Sequence, residues 1–547
     1  MSEPARPLVR WGLLAFVASW IASLGFRGLY NPDEGRYAEI PREILASGDW
    51  VVPHLNGLVY IEKPPLQYWA TALSYVLFGQ SAWSARLYTG LAGLGTILVT
   101  AWLARRLWGK AAAWRAGIML ASSLMLMVMS HQLMLDMSLT FFMTLTLAAF
   151  CAAQHGETDT TTRARLMWLA WASTAAAFLT KGLVAGVIPV LSLVGYSLLQ
   201  RDFAPWKRLH IGVGLVLWVL IAAPWVLLIQ HRLPQFFDFF FVREHFKRFS
   251  TLIEQRYQPW WFFLEILVIG SLPWLVPMMR GLASGWRGAP AGDHFDPRRL
   301  LWVWSIVVLV FFSLSHSKLI PYILPMFPPL ALLAASLPEE RLRKDLRVTG
   351  AGLLLVGAIC LSGAVLLPHW LHDPTHPTRV PYFLKLRAPL VAMGLVALAG
   401  GVWTWRTRGA SLPLTAAIGT TSYVFFGGVL WAAVLLAPVY SGEVLVRGLD
   451  PSVARTATIY SVRTYDQSLP FYLGHTVTLV DYRGELDFGL TLEPHKLVPL
   501  AKFEFDWLEA PQALAVMELD TYALMVRHNL PMVVRGRSAG ELLVSRR

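Results

Sequence analysis

The chain has 547 residues, of which 55% are apolar and only 15% charged. A water-soluble fold of that length needs more polar surface, so the bilayer is its main solvent. A formal charge of +13 does not make it a nucleic-acid binder, because Lys and Arg fall in short clusters between apolar segments rather than along one face. Cys151 and Cys360 are the only cysteines, each inside an apolar segment, which excludes a disulfide framework and a cysteine metal site.

In chain order, the first apolar segment, 9 to 26, follows Arg6 and Arg10 without an obvious small-residue cleavage site, and is expected to stay as a first span. Further spans are expected at 84 to 107, 113 to 130, 135 to 153, 166 to 180, 183 to 200, 210 to 229, 260 to 279, 300 to 315, 320 to 337, 348 to 367, 388 to 405 and 412 to 438, about thirteen in all. Alternate connections carry the basic clusters, among them Arg105, Arg106, Lys110 and Arg115, and Arg341, Arg343, Lys344 and Arg347. By the positive-inside rule these and the N-terminus are cytoplasmic, which puts loops 27 to 83, 230 to 259 and 368 to 387 and everything after Val439 on the opposite, periplasmic side.

The first of those loops opens with Asn31-Pro32-Asp33-Glu34-Gly35-Arg36-Tyr37-Ala38-Glu39-Ile40, two adjacent carboxylates where the chain leaves the bilayer. Acids at that depth are costly unless used, although Asp33 and Glu34 could also cap the following helix. Tyr37, Ile40, Ile44 and Leu45 then share one face, with Glu39, Arg42 and Glu43 on the other, as in an interfacial helix that Pro41 begins or kinks. Further on, Tyr60-Ile61-Glu62-Lys63-Pro64-Pro65 presents an acid and a base on a backbone that the paired prolines hold extended. Preorganised charge of this kind suits phosphate chemistry, where a bare surface ion pair would need no such restraint.

Other residues at span ends on the same side fit one cavity: His131 and Asp136, Lys181, His245, and His316, Lys318 and Tyr322. A lone His is more often a satisfied polar residue than a ligand, whereas Asp136 and Lys181 each end an otherwise apolar helix. The loop after the seventh span breaks the charge rule with Arg232, Arg243, Lys247, Arg248 and Arg256, a cluster that favours an anionic partner over mere headgroup snorkelling. Beyond Val439 the character changes, with strand-like runs at 456 to 462, 476 to 480, 513 to 519 and 531 to 534, so residues 439 to 547 are expected to form a small α/β domain beside a catalytic membrane domain of residues 1 to 438.

The stretch from Asn31 to Trp69, with Ser47-Gly48-Asp49-Trp50, Leu55-Asn56-Gly57 and Glu62-Lys63-Pro64-Pro65-Leu66, resembles the first periplasmic loop of the protein mannosyltransferase-like, GT-C fold lipid-linked glycosyltransferases. The likeness extends through Leu133 to Asp136, Lys181-Gly182 and the segment Ser317 to Pro325. In the tail, Asp466 to Tyr472 and Gly484 to Leu490 narrow it to the aminoarabinose transferases, whose pattern has a small residue where this chain has Pro41.

That resemblance implies an inner-membrane enzyme that transfers 4-amino-4-deoxy-L-arabinose from undecaprenyl phosphate to lipid A phosphates on the periplasmic face, conferring resistance to polymyxin and other cationic antimicrobial peptides. Asp33, Glu34, Lys63 and Asp136 are then the expected catalytic residues, and Lys63, Lys181, Arg248 and Tyr322 the expected binders of the donor phosphate and its carrier. Arg36, Tyr37, Tyr60 and Lys318 are expected at the sugar. Glu62 and His245, with Asp136, are candidate ligands for a divalent Zn, Mg or Mn ion, though no tight ligand spacing demands one. The expected partners are the lipid-linked donor, lipid A and membrane lipids, with no nucleic acid, and the chain is expected to be a monomer. A related transferase using another polyprenyl-phosphate sugar, such as mannose, or a protein or glycan acceptor is the alternative within the class. A transporter or lipid flippase would show inverted repeats and broken helices meeting at the bilayer midplane, and neither is found; a structural membrane protein would leave the Asp33 and Lys63 constellation without a purpose.

Overall fold

The computed structural model describes residues 5–156, 158–247, 258–287, 295–373, 377–510 and 512–546. Most of the chain is helical, and seven helices are long and apolar enough to cross a bilayer, or eight if one sharply bent pair counts as a span, among the described residues. The protein is a multi-pass membrane protein with a small C-terminal sheet domain.

The first helix, α1 (Ala5–Ala22), leads into the loop helix α2 (Asp33–Ser47), a two-stranded hairpin of β1 (His54–Leu55) and β2 (Leu58–Val59), and α3 (Leu66–Phe78), which starts directly after Pro64-Pro65. Two expected spans then merge into one helix, α4 (Ala82–Ala121), broken only at Gly109, whose φ of 86° is open to glycine and strained for other residues. The second of them stops at Ser122-Ser123 and resumes as α5 (Leu124–Ser130). Next come α6 (Leu135–Gln154), α7 (Thr160–Lys181) and α8 (Val184–Gln200). The span expected at 260 to 279 is not straight. It comprises Phe262–Gly270 and Leu275–Trp286, bent by 118°, with Pro273 in the break, where a helix loses a backbone donor. The freed carbonyl of Leu272 is taken up by the Leu124 N–H at 3.0 Å, as backbone at membrane depth requires. The expected span 320 to 337 likewise divides, into a 3-10 turn Ile320–Met326 and a helix Phe327–Ala335.

Helices Glu339–Trp370 and Arg387–Arg406 pack through glycines seven residues apart on each partner, Gly350 and Gly357 against Gly394 and Gly401. A Cβ on Gly357 would lie 2.9 Å from the Gly394 carbonyl, and one on Gly401 would lie 3.0 Å from that of Gly350. Small residues at such a contact let backbones approach where lipid offers no hydrophobic drive for association.

The last apolar helix runs Ser411–Tyr440, so the domain boundary falls two residues later than the expected 438. Beyond it a six-stranded sheet has the order β5-β4-β3-β6-β8-β7, with β3 (Ile459–Val462), β4 (Thr478–Val480), β5 (Leu497–Val498) and β6 (Leu514–Glu518) parallel. The strands β7 (Val533–Arg537) and β8 (Glu541–Ser545) close it antiparallel. The period of two sorts β6 between two cores. Ala515 and Met517 pack with Phe503, Trp507 and Met525 inside the domain, whereas Leu514 and Val516 pack with Ile40, Ile44, Leu55 and Tyr60 of the first loop. The domain thus buries one face by itself and the other against the loop that carries the candidate chemistry.

Replacing Gly357 or Gly394 by Val is expected to force these two helices apart and destabilise the protein by about 1–3 kcal/mol, seen as a lowered apparent melting temperature in detergent, while Gly352→Val, where nothing lies near, stays close to wild type.

Candidate active site in the first loop

Glu34 is fully buried and its carboxylate is saturated. Arg27 grips it, the Arg86 Nε donates at 2.7 Å, and the backbone N–H groups of Tyr30 and Leu133 donate at 2.8 and 2.9 Å. Burial by itself would raise this carboxyl, but the charges of Arg27 and Arg86 outweigh it and hold it at about 2. Such a group is a clamp that ties the end of the first span, the start of α4 and the turn before α6 to one point. Both oxygens of Glu34, one of the expected catalytic residues, are thus already engaged by donors of the chain itself.

Asp33, one residue earlier, is partly open, with 29% of its side chain exposed. It accepts from Arg36 at 2.5 Å, and the other terminal nitrogen of Arg36 donates to Glu485 at 2.5 Å and to the Tyr60 hydroxyl at 2.8 Å. The Arg36 guanidinium lies 5.4 Å from the centre of the Tyr37 ring. Tyr37 lies in the field of both Asp33 and Glu62, so the two ends of the loop face a shared aromatic group. Gly35 makes this approach feasible, since a Cβ there would stand 2.4 Å from the Ser468 nitrogen of the C-terminal domain.

Lys63 sits 3.1 Å from Glu244 and 3.8 Å from Glu62. The expected anion-binding loop thus sends a carboxylate to Lys63, while its Arg232 pairs with Asp49 at 2.8 Å and its Arg243 packs on the Phe239 ring at 5.1 Å. Arg248, Arg256 and the side chains of His245 and Lys247 lie outside the described residues.

Three separate elements converge at a second cluster: Asp136 in the first turn of α6, Lys181 at the last turn of α7, and Tyr322 in the turn Ile320–Met326. Lys181 pairs with Asp136 and stands 4.5 Å over the Tyr322 ring. Asp136, expected to be catalytic, is here the counter-ion of Lys181. Lys318 is buried and donates to the Gln258 carbonyl at 3.0 Å. His131 is a satisfied core histidine, hydrogen-bonded to Ser23 at 3.0 Å and to the Met127 carbonyl at 2.8 Å, between Trp20 and Phe426. His316 is exposed. Among the described residues no three His, Cys, Asp or Glu side chains converge on a point where a metal would sit.

Residues 13–240 match the family model described as dolichyl-phosphate-mannose-protein mannosyltransferase, and residues 445–546 match the aminoarabinose transferase C-terminal domain. An undecaprenyl phosphate-alpha-4-amino-4-deoxy-L-arabinose arabinosyl transferase of Pseudomonas paraeruginosa is 34% identical over 91% of this chain and 90% of its own length. The chain belongs to the aminoarabinose transferase family. A relative of the same name from Aeromonas salmonicida is 33% identical over 92% of this chain and 91% of its own. The crystal structure of ArnT from Cupriavidus metallidurans bound to undecaprenyl phosphate superposes with a TM-score of 0.89 at 34% identity, covering 99% of this chain and 98% of that one. This chain is accordingly a GT-C glycosyltransferase.

Within this aminoarabinose transferase fold, the sequence-level reading missed Arg86, Glu244 and Glu485 as partners of the site. Arg86 had a legible signal, an arginine in the first turns of a long apolar span, where a charge asks for a partner. Glu244 and Glu485 had none, because each reaches its cation from a distant part of the chain.

Glu34→Gln is expected to destabilise the protein by about 3–5 kcal/mol by leaving two arginines undercompensated, whereas Asp33→Asn, at a half-open pair, costs less than about 1 kcal/mol. The Glu34 carboxyl titrates below its ordinary 4.5 in the folded chain, so its contribution is whole above that pH and is lost as pH falls through it toward 2. Apparent melting temperature against pH reads this as an acid-side decline in the wild type that is flatter in Glu34→Gln.

Proposed function

We propose that this chain transfers 4-amino-4-deoxy-L-arabinose from undecaprenyl phosphate to a phosphate of lipid A, on the periplasmic face of the bacterial inner membrane. The observation that carries the reading is the seating of a cation beside an apolar cavity. Lys181 lies between Phe178 and Leu183, and both line a cavity of about 460 Å³ bounded by α6, α7, α8 and the helices Ile211–Arg232 and Pro297–Leu314. Along α7 its wall runs from Phe178 back to Met167, roughly 16 Å at the helical rise per residue. An apolar cavity of that length, with Lys181 next in the chain to its Phe178 and Leu183 end, suits a phosphate esterified to a polyprenyl chain.

The reaction is a substitution at the anomeric carbon. A lipid A phosphate oxygen attacks, the bond from that carbon to the carrier phosphate oxygen breaks, and the electron pair leaves with undecaprenyl phosphate. Lys63 and Lys181 stabilise the charge growing on the leaving phosphate, which is where preorganised cations act most strongly. The incoming phosphate joins or replaces the carboxylates of Glu244 and Asp136 that these lysines hold without it. The acceptor is already anionic, so no strong base is required, and Asp33 instead offers negative charge to the sugar as it becomes positive. Arg36, Tyr37 and Tyr60 shape the wall beside Asp33.

Purified protein in lipid nanodiscs, given lipid-linked donor and lipid A, is expected to add aminoarabinose by mass analysis, and only when that donor is present. Asp33→Asn and Lys63→Ala are expected to lower turnover by about 100-fold or more while folding normally. Wild-type turnover in both would refute the assignment. Gly186→Phe, where the structure leaves open space, is expected to fill the cavity and raise the donor KM with little change in kcat.

A further inference from the structure

Arg36 is 5% exposed and carries a single positive charge, yet it serves two carboxylates. One terminal nitrogen meets Asp33 at 2.5 Å and the other meets Glu485 at 2.5 Å. Glu485 comes from a turn of the C-terminal domain, far from Asp33 in the chain, and its second oxygen accepts from the Gln467 amide at 2.9 Å. The groups around Glu485 are Arg36, Gln467 and the tyrosines Tyr60, Tyr68, Tyr465 and Tyr482. Those facing Asp33 are Arg36 and Tyr37. Two carboxylates against one guanidinium leave the trio with one net negative charge, at the edge where Asp33 is 29% exposed.

We propose that Glu485 is a positioning residue for the transfer, dividing the charge of Arg36 so that Asp33 remains only half neutralised and can face a sugar that turns positive. The inference rests on the role given to Asp33 above and adds a residue from the other domain to it. With Glu485 neutral, Arg36 turns its undivided charge on Asp33. The carboxylate then has less negative potential to offer in the transition state. Binding of the carrier is served by Lys63, Lys181 and the cavity, so the donor KM is not involved.

The test uses the full-length protein with the lipid-linked donor and lipid A, comparing wild type with Glu485→Gln and Glu485→Asp. Glu485→Gln keeps an acceptor for Arg36 and is expected to keep the wild-type melting temperature, with kcat lower on the order of 10-fold and donor KM unchanged. Glu485→Asp restores most of kcat. An unchanged kcat in Glu485→Gln overturns the proposal, as does a loss of kcat that Asp fails to restore or that comes with a raised donor KM. If Glu485→Gln does not fold, Gln467→Ala loosens Glu485 without removing its charge; a smaller fall in kcat at unchanged donor KM supports the proposal and an unchanged kcat overturns it. Absence of transfer by the wild-type protein would instead remove the functional reading on which the proposal stands.

Discussion

A buried carboxylate can be kept ionised in a protein interior if enough positive charge and enough N–H groups are brought to it, and Glu34 is where this structure does so. Its two oxygens take donors from Arg27, Tyr30, Arg86 and Leu133, which belong to three different stretches of chain. Removing any one of them leaves a charge or a polar group stranded away from water, which costs more than the pair itself contributes. The neighbouring Asp33 owes its place to this arrangement. With Glu34 anchored, α2 begins at a defined angle, and Asp33 is turned toward the opening while Glu34 is turned away.

The second organising feature is the shared core between the first loop and the C-terminal sheet. Asn56 and Gly57 take positive φ at the tip of the β1–β2 hairpin. The Asn56 side chain then closes two hydrogen bonds with the backbone of Val477, at 2.8 and 2.9 Å. Arg42 donates to the Gly474 carbonyl at 2.9 Å, and the Tyr472 hydroxyl accepts from the Leu29 N–H at 2.7 Å. These contacts make the loop a buried layer between membrane helices and sheet rather than a strap lying on a lipid surface. The face of α2 that carries Glu39 and Glu43, which the sequence pattern assigns to water, is consequently inside the protein. Glu39 is held by both oxygens to Arg42, and Glu43 accepts from the Gly57 N–H. Amphipathic spacing identifies two faces of a helix but not what covers the polar one.

Charge pairing has the same logic at the two lysines. In a low-dielectric cleft an unpaired ammonium is costly, so Lys63 and Lys181 each hold a carboxylate, Glu244 and Asp136. The bent pair Phe262–Gly270 and Leu275–Trp286 and the divided segment Ile320–Ala335 show the corresponding device in the backbone. Irregular turns are tolerated at membrane depth where another element satisfies their polar groups, and one of them carries Tyr322 to Lys181.

Much of this was legible without coordinates. Hydropathy alone placed the chain in a bilayer and located its apolar segments, because backbone buried in lipid must be helical over about 20 residues and this leaves a mark in local sequence. Alternating residues beyond Val439 revealed four of the six strands of the C-terminal sheet; β5 has only two residues and β8 lies at the chain end, too short or too late for a period to declare itself. The pairing of acids with Glu-Lys-Pro-Pro, and the isolated charges Asp136 and Lys181 at helix ends, were visible because a charge beside lipid is conspicuous in one dimension. Only the tertiary structure decided which of the adjacent acids Asp33 and Glu34 is sealed and which is open, which carboxylate each lysine keeps, and that Arg36 bridges to Glu485. Those outcomes depend on contacts between residues up to several hundred positions apart, and a local pattern carries no information on which distant group will be brought to within 3 Å of a given charge.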